Sequence, residues 1–138
     1  WTVRKDATGV YWNNYSDQPN NIYELGENPV LRAKIQLNGN DRFAERNGTY
    51  FSLVQPYQHH ENTPNLYNSG INVYSFALKP EEHQPSGTLN MSRIDTAVLN
   101  LSLSGSYASD SGHNLSVFAV NYNVLRIMSG MGGIAYSN

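Results

Sequence analysis

Pro29-Val-Leu-Arg-Ala-Lys-Ile-Gln-Leu-Asn-Gly39 is the stretch that decides the fold class. Leu31, Ala33, Ile35 and Leu37 fall on one side of an extended chain, and Arg32, Lys34 and Gln36 on the other. One face on a core and one in water is the pattern of an antiparallel sheet. Pro29 stands at the first position, where a missing N–H costs little. Asn38-Gly39 supplies the positive-φ turn that ends the strand.

Other segments repeat the pattern. Ile71 to Leu78 has Tyr74, Phe76 and Leu78 on one side and Ile71, Val73 and Ala77 on the other. Both faces are apolar, which predicts a central strand covered twice. Ala97 to Ser104 alternates Ala97, Leu99, Leu101 and Leu103 against Asn100, Ser102 and Ser104, and Leu115 to Met128 reads as one long strand bent near Asn121 to Asn123. Trp1 to Lys5, Gly9 to Trp12 and Ile22 to Leu25 are weaker strand signals. Asp41 to Gln58 is expected to be a loop with at most one short helix, since Asn47-Gly48 interrupts it, and Gly105 to Gly112 is a polar loop. No segment sustains a 3.6-residue period, so the chain is read as an all-β, antiparallel sandwich or barrel. Leu31, Ile35, Tyr74, Phe76, Leu99, Leu101, Val117 and Ala119 are the expected core residues.

Composition narrows the function. The 138 residues suit one domain or part of one, with 14% charged residues against a usual value of about 25%. A net charge of −2 gives no basic footprint, so direct nucleic-acid binding is not expected. Disulfides are excluded by the absence of cysteine. No apolar run reaches the roughly 20 residues of a transmembrane segment. The start at Trp1 has no initiator Met or signal-peptide layout and reads as the middle of a strand, so the chain is expected to be a fragment.

Candidate chemistry is sparse. His59-His60-Glu61, with His83 and His113, is the obvious metal set, but adjacent His residues on a strand point to opposite faces. A polar loop explains them better. Glu81-Glu82, between Pro80 and Pro85, reads as a solvated turn closed by Ser86-Gly87 rather than an acid–base pair. Neither a Cys nucleophile nor a Gly-x-Ser-x-Gly elbow is present. We therefore expect no enzyme activity, no catalytic, cofactor-binding or metal residues, and no cofactor. Sequons at Asn14, Asn47, Asn90, Asn100 and Asn114 are expected to be unused in a chain whose most abundant residue is Asn. Ser92-Arg93-Ile94-Asp95 reads as a structural turn, with Asp95 able to bond backbone N–H groups. Arg126 either faces water or is buried against a partner. Three glycines within Ser129-Gly-Met-Gly-Gly133 allow a sharp bend or close packing on another chain.

Two strings are too unusual for composition to explain: Ser75-Phe-Ala-Leu-Lys-Pro-Glu-Glu-His-Gln-Pro-Ser-Gly-Thr-Leu-Asn-Met-Ser-Arg-Ile-Asp95 and Asn121-Tyr-Asn-Val-Leu-Arg-Ile-Met-Ser-Gly-Met-Gly-Gly-Ile-Ala-Tyr-Ser-Asn138. With Asn28 to Phe43 and Tyr50 to His60, they resemble the C-terminal jelly roll of the double jelly-roll major capsid proteins of nucleocytoplasmic large DNA viruses. The resemblance covers residues 28 to 104 and 115 to 138. It implies that residues 1–138 are the C-terminal jelly-roll domain, lacking its first residues and an upstream jelly roll. It also implies a structural role in the virion: homotrimers that pack with neighbouring capsomers and minor capsid proteins into an icosahedral shell. A carbohydrate-binding jelly roll, suggested by the Tyr, Trp and Asn content, and a cupin-like metalloprotein are the alternatives.

Overall fold

A computed structural model describes residues 1–5, 14–17, 26–63, 70–108 and 112–136. The strands are β1 (Thr2–Lys5), β2 (Val30–Leu37), β3 (Asn40–Asp41), β4 (Arg46–Asn47), β5 (Ala97–Leu103), β6 (His113–Ser116), β7 (Leu125–Met128) and β8 (Met131–Ile134). Every pairing among them is antiparallel. The strand signals at Gly9 to Trp12 and Ile22 to Leu25 lie outside the described residues.

β2 is the organising strand. It pairs with β5 along one edge, and with β3 and β4 end to end along the other. The register puts Ala33 opposite Leu101, Ile35 opposite Leu99 and Leu37 opposite Ala97, so the alternation read from the sequence holds from Ala33 onward. It fails at Leu31, which is 49% exposed. Val30 pairs with Leu103 and Arg32 with Ser102, so the strand gains one residue between them. That bulge turns Leu31 outward and Val30 into the core, because side-chain direction alternates at every residue. The Asn38-Gly39 turn forms as expected, with φ of 51° and 79°. Asn38 also accepts the N–H groups of Asp95 (2.9 Å) and Thr96 (3.1 Å), which ties the turn to the start of β5.

Asp41 to Gln58, expected to be a loop with at most one short helix, does contain one helical segment, together with the short strands β3 and β4. A π-helical turn, Tyr50–Val54, runs into α1 (Gln55–His59). Asn47-Gly48 starts this segment rather than interrupting it. The Asn47 carboxamide oxygen accepts the Thr49 N–H and hydroxyl, each at 3.1 Å, as a capping side chain does. Pro56 sits in the first turn of α1, where its missing N–H costs nothing.

The core forms around this segment. Val3, Val30, Ala33, Phe51 and Tyr107 are buried, with Trp1, Phe43, Tyr50, Tyr74, Leu101 and Leu103 packed against them. Phe51 is the hub: the Trp1, Tyr50 and Phe43 rings lie 5.1, 5.2 and 5.6 Å from it. Tyr74 stacks on Phe43 at 4.9 Å and Phe76 on Tyr74 at 5.0 Å. Tyr74 and Leu101 pack against the core as expected, whereas Ile35 and Leu99 are half-buried outside that cluster. Phe76, Val117 and Ala119 are exposed, contrary to expectation.

Ile71 to Leu78 is not a central strand. Ile71 makes a single antiparallel bridge to Thr2, and the residues after it bond elsewhere. Asn72 N–H donates to the Trp1 carbonyl and Val73 N–H to that of Phe51, each at 3.0 Å, and Ser75 N–H reaches Gln55 Oε1 at 3.1 Å. The apolar alternation there serves ring stacking, and buried side-chain amides take the place of a ladder. Asn72 is almost fully buried, and Asn28 Nδ2 donates to its Oδ1 at 2.7 Å. Gly105–Ala108, read as loop, forms the single helical turn α2, whose Tyr107 hydroxyl donates to the Ser16 carbonyl at 2.9 Å.

Candidate assembly surface

The predicted long strand from Leu115 to Met128 is broken in the structure. β6 pairs with β1, residues 117 to 124 belong to no strand, and β7 then folds back on β8. Ser129 and Gly130 make the two-residue turn, with φ of 51° and 77°. Positive φ at both positions matches the natural twist of a hairpin, and Gly130 accepts it without strain. Ala135 N–H donates to the Val124 carbonyl at 2.8 Å, and Asn123 bonds both ends of Tyr136, closing the base of the hairpin.

The hairpin has two unlike faces. Register places Leu125 opposite Ile134 and Ile127 opposite Gly132, so three aliphatic side chains share one face. The other carries Met128 opposite Met131, and Arg126 opposite Gly133. Arg126 is exposed, with its guanidinium 2.8 Å from the Met128 sulfur. Every residue of both strands is exposed in this chain. A two-stranded hairpin is at best marginally stable alone, so this ribbon and its apolar face call for a covering surface.

His59, His60, Glu61, Glu81 and Glu82, weighed as chemistry, make structural contacts. At the end of α1, the His59 ring N–H donates to the Leu78 carbonyl at 2.8 Å. His60 Nδ1 lies 2.7 Å from Glu81 Oε1, and the Glu61 N–H donates to Glu81 Oε2 at 3.2 Å. Ser86 closes the other side of this loop, its hydroxyl bonding both the N–H and the carbonyl of Lys79. Lys79 pairs with Glu82 at 2.9 Å. Among the described residues no three His, Cys, Asp or Glu side chains are grouped to hold a metal ion. The sequon asparagines at 47 and 90 use their side-chain oxygens in local caps, and Asn100 donates to Gln36. The Ser92 to Asp95 turn forms as expected, but Asp95 bonds through its own N–H to Asn38.

The His60 ring, and after it the Glu61 N–H, hold the Glu81 carboxyl below the usual carboxylate range. A depressed pKa stabilises the clasp above the unfolded value of about 4.3, and that contribution is lost as pH falls through the lowered value. The loop from Leu78 to Ser86 is thus expected to stay closed at pH 5 and open in stronger acid. Replacing His60 with Ala should bring its opening, followed by hydrogen exchange, to a higher pH. An unchanged exchange profile would remove His60 from this role.

A family model described as the large eukaryotic DNA virus major capsid protein matches residues 1–133. The chain belongs to that family. It is 70% identical, over 82% of its length, to the major capsid protein of Phaeocystis pouchetii virus, and 50% identical, over 77%, to that of Paramecium bursaria Chlorella virus 1. It spans only 21% and 28% of those two proteins. Among solved structures it resembles the PBCV-1 virus capsid, with a TM-score of 0.59 and 43% identity over 79% of this chain and 30% of that one. The fold is the antiparallel jelly-roll class of these capsid proteins.

Proposed function

We propose that this chain is the C-terminal jelly roll of a double jelly-roll subunit, and that the subunit builds a viral shell without catalysing a reaction. Subunits associate as homotrimers, which pack with neighbouring capsomers and minor capsid proteins into an icosahedral capsid. The carrying observation is the high identity to major capsid proteins along most of the chain. The exposed hairpin and the structural use of His59, His60 and Glu81 support the same reading.

The hairpin face of Leu125, Ile127 and Ile134, with Met131 behind it, acts as an assembly element docked against a neighbouring jelly roll. Burying such side chains contributes about 1.5–3 kcal/mol each before ordering costs. Removing residues 130–138 from the full-length protein should therefore yield monomers, or trimers that form no shells, by light scattering and electron microscopy. Native trimers with an unchanged melting temperature and normal shells would refute the hairpin's role. A full-length protein that never forms shells would refute the capsid reading itself.

A further inference from the structure

The chain holds two Asn-Gly pairs, Asn38-Gly39 and Asn47-Gly48, and folding sets them in unlike surroundings. In such a pair the glycine nitrogen can attack the asparagine carboxamide, because glycine carries no side chain to crowd the nucleophile. Attack closes a five-membered ring, so the reacting groups are held near one another by the chain itself. Both carboxamide oxygens have two donors. Asn38 Oδ1 accepts the Asp95 N–H at 2.9 Å and the Thr96 N–H at 3.1 Å, and Asn47 Oδ1 accepts the Thr49 N–H and hydroxyl at 3.1 Å each. Paired donors of this kind stabilise the negative charge that an attacked carbonyl oxygen takes on. The two pairs therefore differ in their glycines. Nothing lies within 4 Å of where a Cβ on Gly39 would stand, in the exposed turn after β2. Gly48 is pressed against β2, and a Cβ there would lie 1.8 Å from the Val30 carbonyl oxygen.

We propose that Asn38-Gly39 is a deamidation site in the folded subunit, and that packing protects Asn47-Gly48. The Gly39 nitrogen bonds to Asn38 Cγ and gives its proton to solvent. The Cγ–Nδ2 bond breaks, and the leaving amide takes a proton from water to depart as ammonia. Water then opens the cyclic imide. Cleaving the new bond, from nitrogen to Cγ, leaves aspartate, whereas cleaving the original peptide bond leaves isoaspartate. Gly48 cannot follow this course in place, since ring closure turns its peptide plane and the β2 backbone stands against it. The two products act differently on the fold. Aspartate keeps an acceptor for the Asp95 and Thr96 N–H groups. Isoaspartate routes the main chain through Cγ and adds one atom to a two-residue turn. The pairing of Leu37 with Asn40 is then lost, and the turn comes away from the start of β5.

The unaltered full-length subunit is aged in mildly alkaline buffer, folded in one arm and in denaturant in the other. Both Asn-Gly pairs are followed by peptide mapping and mass spectrometry, with isoaspartate separated from aspartate by chromatography. In denaturant the two sites should react at similar rates, since their local chemistry is the same. In the folded protein Asn38 should convert about tenfold faster than Asn47, a factor set by the cost of displacing packed backbone at Gly48. The folded fraction that carries isoaspartate should also exchange its Asp95 and Thr96 amides faster than the unreacted fraction. Equal rates at the two sites in the folded protein, a faster Asn47, or an Asn38 that converts only in denaturant would overturn the proposal. Unchanged exchange at Asp95 and Thr96 would refute the loosening of the turn. None of these readouts depends on shell formation, so the capsid reading stands or falls separately.

Discussion

Replacing Phe51 with Ala is expected to destabilise the subunit by about 3–5 kcal/mol, the range for emptying a buried aromatic site. Phe51 is 0% exposed and touches the rings of Trp1, Phe43 and Tyr50, so its loss opens a space that three rigid neighbours cannot refill together. Those neighbours join β1, the loop after β3 and the helical segment, so the loss reaches all three. Scanning calorimetry of the full-length protein should show a melting temperature roughly 10 °C lower. Phe51→Leu, which keeps most of the volume, should recover more than half of the difference. A Phe51→Ala protein that melts within a degree of the parent would show that the ring cluster is not the core.

Gly48→Ala is expected to be nearly as damaging, although it adds one methyl group. A Cβ at Gly48 would lie 1.8 Å from the Val30 carbonyl oxygen and 3.2 Å from Asn28 Nδ2. The first of these is backbone and cannot swing aside. Val30 is itself fixed, its N–H donating to Asn28 Oδ1 at 3.0 Å and its side chain buried at the bulge of β2. Either β2 or the start of the helical segment must move, and a cost of about 3 kcal/mol, the upper end of overpacking, is expected. Thermal unfolding of the purified protein checks this. Gly39→Ala is the control: open space surrounds that site, so its penalty comes from positive φ alone. If Gly39→Ala proved worse than Gly48→Ala, close backbone approach would not be what Gly48 is there for.

Much of the fold is legible in the sequence, and the misreadings have physical causes. The Val30–Leu37 strand and its Asn38-Gly39 turn follow from local chemistry. Leu31 does not, because a bulge is a property of the pairing between β2 and β5 and leaves no mark on β2 alone. Asn47-Gly48 looks like a break in the sequence, yet an asparagine can cap a helix as readily as it ends one, and only the bonds to Thr49 distinguish the two. In Ile71 to Leu78 the apolar period is real, but its side chains meet a ring cluster instead of a neighbouring strand. Of the long strand expected from Leu115 to Met128, the end at Leu125–Met128 is a strand, and the glycines after it, which suggest a sharp bend or close packing on another chain, make a hairpin turn into β8. The candidate surface was legible mainly through the family resemblance. The His60–Glu81 clasp joins residues 21 apart, and no local pattern reports it.

The pairing of Thr2 with Ser116 ties the order of events during synthesis to the shape of the finished subunit. β1 leaves the ribosome long before its partner, and at about 5–20 residues per second the intervening chain takes roughly 6–20 s to make. Throughout that interval the edge of β1 that β6 will occupy stays open to any other strand that reaches it. Closing so long a loop is also slow relative to local turns, so this ladder forms late. A message cut short anywhere before His113 yields a polypeptide in which that edge can never close. Such a product carries a standing invitation to mispair, whereas a complete chain shields itself once its tail is released.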